Sequence, residues 1–312
     1  MKDTFSTYHP LLNMLYFCGT IGVTVFVVHP VILAISLFCG IAYSVILKGW
    51  IKTIKFNLIF SLPMMLIVAL INPMFNHYGV TILGYLHNGN PFTLESCVYG
   101  LAMAMMLVCT LVWFASYTII MTSDKFIYLF GKLIPALSLV LSMCLRFVPK
   151  FVQEAGVISD GQKCVGRSTE NGSLIKRAKH GITIFSILVT WALENAIETS
   201  DSMKCRGYGE KGRTAFSIYH FDKRDVICLL YMAVTFFITL WGFSKGFAYA
   251  SYNPRIRVTG IPLTPGSFLV FLAFALFCIM PVALEVADRK MWSIRRGQVE
   301  KAEQVGFRLW EI

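Results

Sequence analysis

The residue with the clearest chemical purpose is Arg206, which stands at the end of a long helical pattern. Helical periodicity runs from Ser173 to about Lys204, and Cys205-Arg206-Gly207 follows it. Gly207 suits the left-handed residue that often comes after the last turn of a helix. Arg206 would then lie at an exposed tip, where its rigid five-donor guanidinium can pair with a carboxylate on another molecule. The same residues also fit a plain helix end in which Lys204 and Arg206 complement the helix dipole.

Other groups that could carry chemistry do not form a site by their spacing. Glu194 and Glu198 are four residues apart on one helical face, which is usually solvated and not a catalytic pair. Residues 207–212 satisfy G-x-G-x-x-G, but a dinucleotide site needs a strand before this motif, and here a helix precedes it. The nine cysteines lack C-x-x-C spacing and are predicted to be small buried hydrophobes, and the six histidines do not cluster. We therefore predict no catalytic, cofactor or metal site, in a chain that is not an enzyme.

The composition indicates what kind of molecule must position Arg206. Of the 312 residues 56% are hydrophobic and only 14% are charged, whereas soluble domains are about 25% charged. Together with a mean hydropathy of +0.64, these values predict an integral membrane protein. The net charge of +11 is expected to gather on the cytoplasmic side. Nucleic-acid binding is disfavoured, because the charge does not form a polar domain of its own.

Six apolar segments are predicted to cross the membrane. Four lie in the first 120 residues, where His29-Pro30 separates the first two into a tight helical hairpin, and two lie near the C-terminus. Some are shorter than the roughly 20 residues that a bilayer requires, so their ends are approximate. The segments are Leu12–Val28, Val31–Leu47, Phe56–Ile71, Cys97–Ile120, Val226–Phe243 and Ser267–Val286.

The distribution of basic residues predicts the orientation of these segments. Three lysines lie in the loop 48–55 after the second segment, whereas the loop 72–96 after the third has no lysine or arginine. The positive-inside rule places the first loop in the cytoplasm and the second outside. Residues 121–225 carry 15 of the 28 basic residues and are predicted to be cytoplasmic, as are both termini.

One apolar segment, Phe126–Val148, is predicted not to cross. A crossing there would leave residues 149–225, with 12 basic residues, outside the cell. We expect instead a long helix along the inner face of the membrane, kinked or ended by Pro135 and Pro149. In the next helix Ala192, Ala196 and Ser200 recur every four residues, a spacing that lets two helices cross closely.

The predicted fold class is an all-α membrane protein with about six transmembrane helices and long cytoplasmic helices between spans four and five. Residues 1–121 form a four-span membrane region, and 122–225 form the cytoplasmic region of coupling helices. Residues 226–290 form a two-span membrane region, and 291–312 form a cytoplasmic tail.

At this point the sequence resembles a known family. Residues 194–209, ENAIETSDSMKCRGYG, and the following Lys211-Gly212-Arg213-Thr214 resemble the second coupling motif of the T component of energy-coupling factor (ECF) transporters. Members of this family carry two arginine-centred tips, usually Ala-Arg-Gly. The second tip corresponds to Cys205-Arg206-Gly207, and the first is mapped onto Gly166-Arg167-Ser168.

The resemblance implies a function and a set of partners. The chain would be the coupling subunit of an ATP-driven importer of vitamins or other micronutrients in the bacterial plasma membrane. Two ABC-type ATPase subunits would each hold one tip, and their closure on ATP would move the two long helices. The helices would pass this motion to a separate substrate-binding membrane protein, the S component. The chain itself would bind neither ATP nor substrate.

Three other functions compete with this interpretation. The nearest is the membrane subunit of a dedicated cobalt or nickel uptake system, although His/Cys/Asp clusters are missing from the spans. A self-sufficient secondary carrier usually has ionisable groups or broken helices at mid-membrane, and spans one to four have no charged residue well inside them. A membrane enzyme needs convergent polar residues in a cleft, and no such spacing occurs.

Overall fold

The computed structural model describes residues 3–85, 91–167, 173–210, 219–262 and 264–309. Most of them are helical, and two short antiparallel hairpins pair β1 (Ile82–Tyr85) with β2 (Pro91–Thr93) and β3 (Ala250–Ser251) with β4 (Arg257–Val258). A 3-10 turn over Phe5–Thr7 precedes the first helix. The helices in chain order are α1 (Pro10–Phe26), α2 (Pro30–Lys48), α3 (Trp50–Phe56), α4 (Leu62–Phe75), α5 (Leu94–Ile120), α6 (Ser123–Leu133), α7 (Pro135–Cys164), α8 (Leu174–Cys205), α9 (Lys223–Ser244) and α10 (Pro265–Leu309).

The chain divides into two compact units. The first contains the described residues up to Thr122 together with those from Tyr219 onward, and the second contains those from Ser123 to Glu210. Helices α1 to α5, α9 and α10 therefore form one unit, and α6, α7 and α8 form the other.

The first two helices begin in the same way, with a histidine before a proline. The ring Nδ1 of His9 accepts a hydrogen bond from the backbone N–H of Leu11, and His29 does the same for Val31. Proline is well tolerated at the first helical position, because the N–H that it lacks would have no partner in the helix. Each histidine thus satisfies an amide that the helix leaves unpaired.

The core of the first unit surrounds Trp113 of α5, whose side chain is fully buried. Its indole nitrogen donates a hydrogen bond of 2.9 Å to the hydroxyl of Ser36 in α2, so this buried donor is satisfied. The rings of Tyr16 in α1 and Tyr43 in α2 lie 5.9 and 6.4 Å from the indole. The Tyr16 hydroxyl donates to the backbone oxygen of Cys278, which connects α1 to α10.

The prediction of an all-α, multi-pass membrane protein is confirmed. Among the described residues six helices are long and apolar enough to cross a membrane: α2, the continuous run Trp50–Phe75, α5, α8, α9 and α10. This set differs from our six predicted segments. It omits α1, which has only 17 residues, and it includes α8, which we predicted to be cytoplasmic. α8 is the least apolar of the six and has no buried residue.

Two predicted elements differ in their boundaries. The loop predicted over 48–55 is mostly the helix α3, which continues through a π-helical segment, Asn57–Ser61, into α4. The segment Phe126–Val148 is divided between α6 and α7, because the chain leaves the helical conformation at Ile134 and α7 begins at Pro135, where we predicted a kink or an end. Pro149 lies inside α7 and does not end it.

The first and last described residues extend the fold beyond the predicted spans. Phe5, within the polar start, is fully buried and packs edge-on against Tyr16 and Tyr43, with ring centroids 5.2 and 6.4 Å away. α10 runs for 45 residues and continues past residue 290, where we placed the boundary of a separate tail. Because no helix-breaking residue stands at that boundary, the helical hydrogen bonding continues.

Candidate functional site

The candidate site is built on two long helices, α7 and α8, which pack against each other in opposite directions. The rings of Phe151 in α7 and Trp191 in α8 meet edge to face, with centroids 5.8 Å apart and an interplanar angle of 78°. One residue earlier in α7, the Lys150 ammonium donates to the Asn195 amide oxygen at 3.0 Å and lies 5.1 Å over the Trp191 ring. These contacts lie near the middle of each helix, and we refer to this place as the crossing point.

Towards the end of α8 the two helices line an open cavity of about 340 Å³. Ala196 and Ser200, two members of the predicted small-residue row, line it on the side of α8. Residues early in α7 meet residues late in α8, which establishes the antiparallel arrangement. The full lining is Leu139, Met143, Phe147, Ala196, Thr199, Ser200, Met203, Lys204 and Tyr208.

The end of α8 is held by a complete Schellman cap. Arg206 follows the last helical residue with φ −88° and ψ 13°, and Gly207 adopts the left-handed φ of +74°. The Tyr208 N–H donates to the Met203 carbonyl at 3.0 Å. The Gly207 N–H donates to the Lys204 carbonyl at 2.9 Å. This pair of hydrogen bonds satisfies carbonyls that the helix leaves free and fixes the backbone that carries the Arg206 side chain.

The end of α7 is held by the same cap. Val165 has φ −89° and ψ 9°, and Gly166 has φ +77°. The Arg167 N–H donates to the Gln162 carbonyl at 2.9 Å. The Gly166 N–H donates to the Lys163 carbonyl at 3.0 Å. The two long helices therefore end in backbones of the same shape.

The side chains that precede the two caps also match. Both ends have the sequence Asp-x-x-Lys-Cys-x-Gly, over residues 160–166 in α7 and 201–207 in α8. In each, the aspartate and the lysine form an exposed ion pair, with N–O distances of 3.5 Å in α7 and 3.7 Å in α8. The cysteine is exposed in both, which differs from our prediction of buried cysteines. Because exposed ion pairs contribute little to stability, the match points to a shared role of the two ends.

The C-terminal ends of α7 and α8 lie far apart in the structure. Arg206 lies 15 residues beyond Trp191, and Val165 lies 14 residues beyond Phe151, in helices that run in opposite directions. At a rise of about 1.5 Å per residue, each end extends roughly 20 Å from the crossing point. The α7 cap and the α8 cap are thus two separate tips, presented on either side of the crossing.

The residues predicted for the two tips fall into three groups. Cys205, Arg206 and Gly207 form the exposed α8 tip, and Gly166 and Arg167 belong to the α7 tip. Ser168, the last residue of the predicted first motif, lies outside the described residues.

In the matched caps the counterpart of Gly207 is Gly166. Residues Cys164 and Val165, which were not among the predicted site residues, are the counterparts of Cys205 and Arg206. The repeated Asp-x-x-Lys-Cys-x-Gly pattern is the signal that would have identified them.

The remaining candidate groups of the sequence stay apart from this site. Glu194 and Glu198 are exposed on α8, and α8, a helix, precedes the G-x-G-x-x-G sequence. Within the part of the chain that the structure describes, no three His, Cys, Asp or Glu side chains are grouped so that they could hold a metal ion.

Known proteins with similar sequences include several transporter subunits. The chain is 41% identical over 96 residues to the energy-coupling factor transporter transmembrane protein EcfT of Lactobacillus helveticus, an alignment that covers 30% of this chain and 35% of that protein. It is 27% identical over 206 residues to EcfT 1 of Listeria monocytogenes, which covers 62% of this chain and 73% of that protein. The chain thus spans about a third of the length of the first relative and nearly three quarters of the second.

A family model places the similarity over most of the chain. The model of CbiQ, described as cobalt transport protein, matches residues 3–216. That range contains the helices from α1 to α8 and both tips, and it covers more than half of the 312 residues. This chain therefore belongs to the CbiQ family.

Proposed function

We propose that this chain is the transmembrane coupling subunit, or T component, of an ATP-driven energy-coupling factor importer. Its partners would be two ABC-type ATPase subunits and a separate substrate-binding membrane protein. The observation that carries the proposal is the pair of long antiparallel helices, α7 and α8, which end in matching, exposed and rigidly capped tips. The similarity to proteins named EcfT supports the same assignment.

The tips suit a role in docking because their backbones are already ordered. At the α8 tip the Arg206 N–H is hydrogen-bonded to the Met203 and Ser202 carbonyls, so only the side chain remains for a partner. A guanidinium held on a fixed backbone loses little conformational freedom when it binds a carboxylate. The tip can therefore transmit a displacement of its partner without first becoming ordered.

The crossing of α7 and α8 suits a role in transmitting motion. A helix of about 30 residues is roughly 45 Å long, so it can carry a movement from a tip to the far end of the helix. Closure of the ATPase subunits on ATP would change the separation of the two tips, with Phe151 and Trp191 as the contact about which the helices turn. Such a cycle requires the partners to bind two arrangements of the helices with different free energies.

The location of the site follows from the charge distribution. Residues 122–225, with both tips, would lie in the cytoplasm, where ATP is available, and both termini would lie on the same side of the bacterial plasma membrane. The domain boundaries 1–121, 122–225, 226–290 and 291–312 remain our proposal for the division between membrane and cytoplasmic regions. ATP hydrolysis would take place in the partner subunits, and this chain would have no enzymatic activity of its own.

Purification of the tagged chain from native membranes tests the proposal. We expect two ABC-type ATPase chains and a small apolar membrane protein to copurify in mild detergent. After reconstitution into liposomes, solute uptake should require ATP and all the subunits. Uptake by the purified chain alone, driven by an ion gradient, would contradict the proposal and favour a secondary carrier.

A dedicated cobalt or nickel system is the second candidate, because the matching family is described as cobalt transport protein, whereas the relatives named EcfT favour the first proposal. The described residues of this chain contain no cluster of metal-binding side chains, so the cation would have to bind to a partner. The copurifying membrane protein distinguishes the two candidates: a histidine-rich metal-binding subunit favours cobalt or nickel, and an apolar vitamin-binding subunit favours the first proposal.

A further inference from the structure

The two tips have the same backbone but different side chains at the same position. Val165 and Arg206 are each the residue between the last helical cysteine and the left-handed glycine, with φ values of −89° and −88°. Val165 is 70% exposed, so its branched apolar side chain is accessible to a partner. The α7 tip thus presents an apolar group where the α8 tip presents a cation.

The arginine of the α7 tip lies at a different position of the cap. Arg167 follows Gly166 and has the position that Tyr208 has in the α8 tip, two residues beyond Val165. Tyr208 lines the cavity against α7, so this position need not point towards a docked partner. A groove that fits the α8 tip would meet a valine, not a guanidinium, if it received the α7 tip.

The two side chains require grooves of different chemistry. A groove that holds Arg206 needs a carboxylate or several carbonyl oxygens to pair with the charge. The same acceptors, covered by Val165, would be buried without a partner, which is strongly unfavourable. Conversely, an apolar groove that fits Val165 would strip water from Arg206 and give it no counter-charge.

We propose that the α7 tip docks through Val165 in an apolar groove and the α8 tip docks through Arg206 in an acidic groove, and that these grooves belong to two different ATPase subunits. This inference rests on the proposed function, since it concerns the same docking sites. It goes further in stating that the two sites are not interchangeable and in assigning the α7 contact to Val165 in place of Arg167.

Cys164 and Cys205, the exposed cysteines that precede Val165 and Arg206, allow a crosslinking test at equivalent positions of the two tips. Two variants would each retain either Cys164 or Cys205, with the other tip cysteine replaced by serine. The remaining accessible cysteines, Cys18, Cys39, Cys97 and Cys144, would also be replaced. Each variant would be labelled with benzophenone maleimide in membranes, assembled with its copurifying subunits and irradiated.

The identity of the crosslinked subunits shows whether the two tips dock on different ATPase polypeptides. We expect Cys164 to capture one ATPase polypeptide and Cys205 to capture the other. Capture of the same polypeptide at both positions would overturn the inference and leave the proposed function intact. Failure of both positions to capture any ATPase subunit would overturn the proposed function itself.

An exchange of the two side chains gives an independent test by uptake. Arg206→Val should lower ATP-driven uptake at least tenfold, and so should the double variant Val165→Arg/Arg206→Val. If both grooves belonged to identical subunits, the double variant would present the same pair of tips with their positions exchanged. Recovery of uptake to within about twofold of the unmodified chain would therefore overturn the inference.

Discussion

Phe151 and Trp191 join the two long helices through an aromatic contact, edge to face at 5.8 Å. The ammonium of Lys150 lies over the same indole, so the aromatic side chain receives two contacts from α7. The contact lies roughly 20 Å from either tip. Its place between the tips makes it the expected pivot if α7 and α8 turn against each other during transport.

Replacement of Trp191 by alanine should uncouple ATP hydrolysis from uptake. The variant loses the edge-to-face contact and the cation–π contact, together about 1–3 kcal/mol of packing between the helices. We expect the tips still to dock, so ATPase activity in the assembled complex should persist while uptake per ATP falls severalfold. The measurement compares both rates in the same proteoliposomes.

Two controls make the Trp191 result specific. Trp191→Phe keeps an aromatic ring and should retain most of the coupling, and Trp292→Ala removes an exposed tryptophan of α10 and should have no effect. An unchanged ratio of uptake to hydrolysis in Trp191→Ala would show that the crossing point does not transmit the motion.

Arg206→Glu should abolish ATP-driven uptake while the chain still inserts into the membrane. A glutamate in an acidic groove replaces an attraction by a repulsion and should cost several kcal/mol if the contact is buried. Binding of the ATPase subunits, measured by copurification, should weaken in parallel. Lys179→Glu makes the same charge change near the other end of α8 and is the matched control. Normal uptake by Arg206→Glu would refute the docking role of the α8 tip.

Gly207→Ala should weaken the binding of the α8 tip to the ATPase subunits, because it strains the backbone of the tip. Gly207 has φ +74°, and a residue with a β-carbon pays roughly 1 kcal/mol in that region. Gly207→Asn should cost less, because asparagine tolerates the left-handed conformation. We expect the affinity for the ATPase subunits to fall about fivefold in Gly207→Ala.

Gly181 provides the matched control for this substitution. It lies inside α8, and a β-carbon built there meets no atom within 4 Å. Alanine favours the helix by about 1 kcal/mol over glycine, so Gly181→Ala should raise the unfolding temperature slightly and leave the affinity unchanged. Equal losses of affinity in the two variants would show that the effect does not depend on the cap.

Much of the fold could be predicted, because the length of an apolar run and the presence of a proline determine helices from the local sequence alone. The runs that became α2, α5 and α9 have no charge in their centres, and Pro10 and Pro30 begin helices because each takes a position that needs no N–H. Pro149 was harder to interpret, because a proline inside a helix is tolerated when neighbouring packing outweighs the lost hydrogen bond. The burial of Phe5 was also not predictable, since it depends on rings that are distant in the sequence.

Some features of the candidate site could also be predicted from the sequence, and others could not. Gly207 and the end of α8 could be predicted, because a left-handed glycine after a periodic run is a local signal. The register of the first tip, which we centred on Arg167 because an arginine was expected there, remains a prediction. The structure aligns the tips by their caps, in which Val165 is the counterpart of Arg206. The repeat Asp-x-x-Lys-Cys-x-Gly contains the same information, but its meaning requires the knowledge that both copies end a helix.

The placement of α8 in the cytoplasm can be tested by labelling. α8 is long enough to cross a membrane, so length alone does not decide its position, whereas the charge distribution favours the cytoplasm. A single thiol introduced by Lys179→Cys, in a variant lacking the other accessible cysteines, should not react with an impermeant maleimide in intact cells. It should react after permeabilisation. A thiol at Tyr78, in the predicted outer loop, is the positive control, and labelling of Lys179→Cys from outside would overturn the topology.

The last prediction concerns Asp3, which joins the start of the chain to α2 and α10. The Tyr43 hydroxyl donates to the Asp3 carboxyl at 2.7 Å, and the carboxyl of Glu285 acts on the pKa of Asp3. Burial, with a further contribution from Glu285, raises the pKa of Asp3 to about 6. Between about pH 4 and pH 6 the folded chain therefore holds a proton on Asp3 that the unfolded chain, with a carboxyl pKa near 4, has already released. The stability that comes from this proton is present below pH 4 and is lost as the pH rises towards 6.

Asp3→Asn should remove this pH dependence and stabilise the chain at pH 7.5. The asparagine oxygen can still accept from Tyr43 and its amide can donate to Glu285, while no charge is buried, so we expect a gain of about 1–2 kcal/mol. Thermal unfolding in detergent between pH 4.5 and 7.5 measures the effect. Asp124→Asn, at an exposed aspartate of α6, should leave the pH profile unchanged. If Asp3→Asn unfolds at a lower temperature than the unmodified chain at pH 7.5, then the Asp3 charge stabilises the fold and the assignment of a raised pKa is wrong.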